Sequence, residues 1–156
     1  VAKNPDPTLE LTTITGVTHT LDDWNTVFHL VLVCLPGRPE AATYTKNGVE
    51  LLSVFRGADC RGGFLIQGTA QKARRVLGPA ADDFLVFLDE GGEFVKAAGL
   101  SRLPALVHLG NDSTVMNVVE GWDAHEWTTT AKAIAGVMSW SYPVFSGPRP
   151  FKGWAT

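Results

Sequence analysis

The chain has 156 residues, of which 45% are hydrophobic and 19% charged, with a formal net charge of −3. That length and apolar content suit one globular domain with a real core. The slightly negative balance excludes the clustered basic footprint of a nucleic-acid or anionic-lipid binder, and two cysteines exclude a disulfide scaffold.

"TLELTTITG" alternates and is rich in Thr, which predicts a first strand ending at Gly16. In "THTLDDWN", Thr20 is placed to cap a short helical turn with acidic residues at its start. "VFHLVLVCL" is apolar on both parities, the pattern of a strand covered on both faces. From Pro39 the period changes: Tyr44, Gly48, Leu51, Leu52 and Phe55 share a helical face, predicting a helix from about Pro39 to Arg56. A strand is expected at Gly63 to Gln67, then a helix over "TAQKARRVLG" stopped by Gly78. Its Lys72, Arg74 and Arg75 read as a solvated face.

"DFLVFLDEGG" predicts a strand running into a turn, and "EFVKAAGL" a short helix ending at Gly99. "LPALVHL", "GNDST" and "VMNVVEGW" read as an antiparallel hairpin. In the last helix Asp123 and Glu126 hold capping-box positions, with Trp127, Ile134, Val137 and Met138 presented for packing. Residues 141–156 form a Pro-, Gly- and aromatic-rich tail after a domain of residues 1–140. Its rings are expected to pack back on the domain or, if exposed, to serve a protein partner or a homodimer.

Alternating helices and strands predict an α/β/α sandwich on a mixed sheet. The longest apolar run, Val27 to Pro36, is about half a membrane span and is broken by His29, so no membrane segment is expected. The N-terminal stretch carries no apolar signal core, and the sparse cysteine makes the cytoplasm the expected compartment. His19, His29, His108 and His125 lack metal-ligand spacing, so neither a metal nor another cofactor is expected.

The stretch from Phe84 to Trp127 resembles the second half of thioredoxin-like proteins. It is most similar to the branch shared by TlpA/ResA-type thiol-disulfide oxidoreductases and peroxiredoxins. The marks, in order, are Asp89, Gly91 or Gly92, Gly99-Leu100, Pro104, Asn111-Asp112 and Gly121. With the opening hairpin and first core strand, the resemblance covers about residues 9 to 138. It implies a thioredoxin-like three-layer α/β/α fold in which Pro104 is a cis-proline facing the active site. It also implies that Arg102 stands where peroxiredoxins aim an arginine at sulfur, there to hold an anion or pair with Glu40.

The thiol positions are where the resemblance breaks. Aligning "LVCLPGRPEAA" to the CxxC motif puts Pro39 and Ala42 at the two cysteine places. Aligning Pro36 to the peroxiredoxin Pro-x-x-x-Thr-x-x-Cys motif puts Glu40 at the threonine and Thr43 at the cysteine. A thiolate there would be stabilised by free N–H groups at a helix start; Thr43 offers only a hydroxyl, with no base placed beside it. Cys34, at the end of a buried strand, reads as core filling. Cys60, in a Gly-rich connection beside Arg61, reads as an incidental loop thiol.

The sequence therefore predicts a thioredoxin-fold protein without the standard redox motif. It would act by binding a protein or small ligand around Pro39, Glu40, Thr43, Arg102 and Pro104. The alternative is an atypical thiol-disulfide oxidoreductase or peroxidase using Cys60, with or without Cys34, so the residues leave open whether the chain is an enzyme.

Overall fold

The computed structural model describes residues 2–156. Strands β1 (Glu10–Thr13) and β2 (Thr18–Thr20) form the opening hairpin, and Thr20 caps the short helix α1 (Leu21–Trp24) by accepting from the Asp23 N–H. Strand β3 (His29–Pro36) follows, then a 3-10 turn (Pro39–Tyr44) and helix α2 (Thr45–Phe55). Next come β4 (Cys60–Gln67), α3 (Ala70–Leu77), α4 (Ala80–Asp83), β5 (Leu85–Leu88) and α5 (Glu93–Ala97). The chain closes with β6 (Arg102–Leu103), β7 (Ala105–Leu109), β8 (Val115–Glu120), α6 (Ala124–Met138) and β9 (Trp154–Ala155).

Seven strands make one mixed sheet in the order β2-β1-β5-β4-β3-β7-β8. Its centre, β5-β4-β3, is parallel, while β1 and β7 join it antiparallel. The double-sided apolar pattern of β3 has its expected cause. Val31, Val33 and Leu35 enter a core shared with α2, α3 and α6; Leu30, Leu32 and Cys34 enter a second core shared with α1 and α5. The sheet is thus the middle of three layers. Among the described residues, no helix is long and apolar enough to cross a membrane.

Among the differences from the sequence expectation, three bear on packing around the central strands. The helix predicted from Pro39 to Arg56 begins as a 3-10 turn, closed by i to i+3 bonds such as Ala41 N–H to the Arg38 carbonyl (3.0 Å). This winding brings Ala41 and Tyr44, three residues apart, to the same buried side. Strand β4 starts at Cys60 rather than Gly63, because the parallel ladder to β3 runs from His29–Cys60 to Pro36–Gln67 and takes in both glycines. In α6 the packed face is Trp127, Ala131, Ile134, Ala135 and Met138. Val137 is off that stripe and 46% exposed. The expected cap holds: Asp123 Oδ1 accepts from the Glu126 N–H at 2.9 Å.

Candidate functional site

The carboxyl end of β3 and the loop before β7 meet because β7 lies beside β3, with Cys34 opposite Ala105 in register. Pro36 therefore delivers the Gly37–Tyr44 turn to the same end of the sheet as Leu103 and Pro104. The Leu103–Pro104 bond is cis, as the resemblance implied. On the turn, Pro39, Glu40 and Thr43 are exposed. On the facing loop, Arg102 is exposed and Pro104 buried.

The C-terminal tail crosses this end. β9 pairs antiparallel with β6, Trp154 opposite Leu103 and Ala155 opposite Arg102. The Thr156 N–H donates to the Ser101 carbonyl (3.2 Å) and its hydroxyl to the Leu100 carbonyl (3.0 Å). Phe151 exchanges two backbone bonds of 2.7 Å with Trp122. Two glycines permit the crossing. A Cβ on Gly121 (φ +79°) would meet the Lys152 carbonyl oxygen at 2.7 Å, and one on Gly153 (φ +97°) the Leu103 carbonyl oxygen at 2.8 Å.

The tail's rings complete an aromatic cluster over the turn. Phe151 stacks parallel to Tyr44 (6.3 Å between centroids), and Trp154 meets Phe151 and Tyr44 edge-on at 4.7 and 6.0 Å. Tyr44 continues to Trp122, and Trp122 to Trp127 and Phe145. The Arg38 guanidinium lies 4.9 Å from the Trp154 ring centroid, so Trp154 bridges the turn and the loop before Pro104. The expected tail packing thus occurs within the chain, while Trp140, Tyr142 and Val144 at its head stay 42%, 39% and 74% exposed.

Arg102 does not pair with Glu40. Its Nη1 donates to the Gly153 carbonyl at 3.3 Å, while Glu40 pairs with Arg38 at 3.6 Å. One of the guanidinium's donors is thus spent on the tail backbone. A cavity of about 490 Å³ remains beside it, lined by Arg102, Glu120, Glu126, Phe151 and Lys152 among others.

Neither cysteine presents an exposed thiol at this end. Cys34 is fully buried, and desolvation, then the nearby Asp89 charge, push its pKa up. Cys60 is half-buried, its Sγ 3.6 Å from the Phe55 carbonyl; burial, then Asp59, push its thiol up to about 11. Arg61, expected beside it, is engaged elsewhere, donating to the Trp24 carbonyl at 2.9 Å. In register Cys34 lies opposite Leu65, five residues from Cys60 along β4, roughly 17 Å at strand rise. The two belong to opposite cores. Both are free thiols, and that separation is well past the ~7 Å a bridge tolerates.

Asp89 is 5% exposed and accepts from the Phe94 and Val95 N–H groups at 2.9 and 3.1 Å, fixing the start of α5. Burial still raises its pKa. Sequence reading missed the β6–β9 pairing and the Gly121–Gly153 crossing. Their only sequence signal was the density of aromatics and glycines in the tail.

No protein-family model matches the chain, and no curated protein matches it. Solved structures do. An uncharacterised conserved protein from Geobacillus kaustophilus superposes with a TM-score of 0.68 at 15% identity, covering 99% of this chain and 92% of its own. The bacterioferritin comigratory protein of Xanthomonas campestris, described by its alkyl peroxide reduction, gives 0.67 at 16% identity, covering 87% and 98%. A putative thiol:disulfide interchange protein DsbE from Chlorobium tepidum gives 0.66 at 16% identity, covering 87% and 98%.

Proposed function

On the thioredoxin-like fold that this chain shares with peroxiredoxins and DsbE-type oxidoreductases, we propose a protein that works by binding rather than by thiol chemistry. Its binding face is the Pro104 end of the sheet, where a protein or small ligand meets the Pro39–Thr43 turn and the Arg102 side of the tail. One observation carries the reading: the turn and the cis-proline are in place, yet the positions where sulfur would act hold Pro39, Ala42 and Thr43. The oxidoreductase alternative needs Cys60 or Cys34, and burial disfavours the thiolate of each. The exposed Trp140, Tyr142 and Val144 are the part of the tail left for a protein partner or a second copy.

Thiol titration of the native protein, together with reduction of a model disulfide and of hydrogen peroxide under dithiothreitol, tests this. The expected result is two slow thiols and no turnover above that of a Cys34→Ser/Cys60→Ser double variant. Turnover that Cys60→Ser abolishes would overturn it.

A further inference from the structure

The opposite end of β3 holds chemistry that this reading does not use. His29 Nδ1 lies 2.8 Å from His108 Nε2, and His108 Nδ1 lies 3.1 Å from Asn117 Nδ2. The three residues sit on adjacent strands β3, β7 and β8, with His108 opposite both Val31 and Asn117 in register. With the Asn117 amide donating, His108 donates to His29, and His29 keeps its proton on Nε2. His108 is fully buried in a face that is otherwise apolar. An apolar pair would complete that core without the desolvation cost, so the fold itself does not require the relay.

His29 lines a cavity of about 500 Å³ below the end of α6. Its apolar lining includes Val27, Phe28 and Val137, 71%, 38% and 46% exposed. Asp59 and Asn111 are among its polar lining residues. The last turn of α6 carries no basic residue, so the partial negative charge of its carbonyl end is uncompensated by the helix. No Lys or Arg lines the cavity. The lining therefore combines one carboxylate, apolar side chains and an imidazole whose other nitrogen is fixed by His108.

We propose that this cavity is a second binding site, for a small protonated amine with an aryl or alkyl body and a hydrogen-bond acceptor. Asp59 and the α6 carbonyl end hold the ammonium, and Phe28 with Val27 and Val137 cover the body. His29 donates to the acceptor, positioned by His108 and Asn117. The site is independent of the Pro104 face and survives whatever is found there.

The test uses the intact protein and four probes, with imidazole and amide NMR shifts as readout. They are 2-amino-1-phenylethanol, phenethylamine, 1-phenyl-1,2-ethanediol and mandelate. The expected order is that in which they are named, with mandelate silent and His29 resonances moving with the first probe. Asp59→Asn weakens the amines about tenfold, the size of one modest charge contact. His29→Gln removes the preference for the hydroxylated amine over phenethylamine, and Glu10→Gln on the far edge strand changes nothing. Equal binding of mandelate and the amines, or no response at His29, overturns the proposal.

Discussion

The two ends of β3 differ in a way that composition hides. At its carboxyl end, after Pro36, the backbone is arranged for chemistry: a turn entering a helix, a cis-proline opposite, a neighbouring arginine. The turn carries no thiol, and the chain's own tail lies across this end. At its amino end the backbone is unremarkable, but two imidazoles and an amide form a relay opening on a cavity. Scaffold geometry and reactive groups are thus separable along a single strand. A fold supplies the first without guaranteeing the second.

Four measurements would break or sharpen that contrast. The largest effect is expected from Trp122→Ala, which removes a ring 1% exposed at the centre of the tail cluster and orphans the Pro148 carbonyl it bonds at 2.9 Å. Chemical denaturation should show a loss of about 3–5 kcal/mol. A loss below about 1 kcal/mol would mean that the tail does not seal this end as a unit.

The amino end should dominate the pH response. Burial first, then His29, depress His108 from 6.5 to about 4. The unfolded chain then binds the proton more readily, so the contribution is fully present above 6.5 and lost as pH falls toward 4. The predicted loss is about 3 kcal/mol. Asp89 acts in the opposite sense: its native pKa is raised from 3.8 by burial, so its contribution declines as pH rises from the unfolded value through the native one. Denaturation series on the wild type and on His108→Gln separate the two. A His108→Gln profile identical to wild type between pH 6.5 and 4 would remove His108 as the cause.

Trp154→Ala should cost about 1–2 kcal/mol, from lost edge-on contacts with Phe151 and Tyr44 at a half-buried site. It should leave the pH profile unchanged, because the two ends share no side chain. The smallest effect is expected from Arg38→Gln, which removes an exposed cation–π contact and a half-exposed ion pair. About 0.5–1 kcal/mol is predicted, falling with added salt.

Much of this was legible in the sequence for a physical reason. Strands covered on both faces, helix stripes, the Thr20 and Asp123 caps and the Gly78 stop are local patterns, each set by neighbours within a few residues. The absence of sulfur at the turn needed only the order of residues along the chain. The start of the Pro39 segment was less legible, because α and 3-10 windings both place Ala41 and Tyr44 inward. Val137 was misassigned because its apolar side chain lies one position outside the buried stripe.

What only the tertiary structure decided were the contacts between distant segments. The pairing of Trp154 with Leu103 spans fifty-one residues, and the contact between His29 and His108 spans seventy-nine. Each depends on which strand lies beside which, and no local period records that. Arg102 could be read as a partner of Glu40 until the structure placed the Gly153 carbonyl beside it and Arg38 beside Glu40. The sequence by itself determined the elements, the cores and the missing thiols, since those follow from short-range pattern and identity. The sheet order and the path of the tail determined which side chains are left free to act.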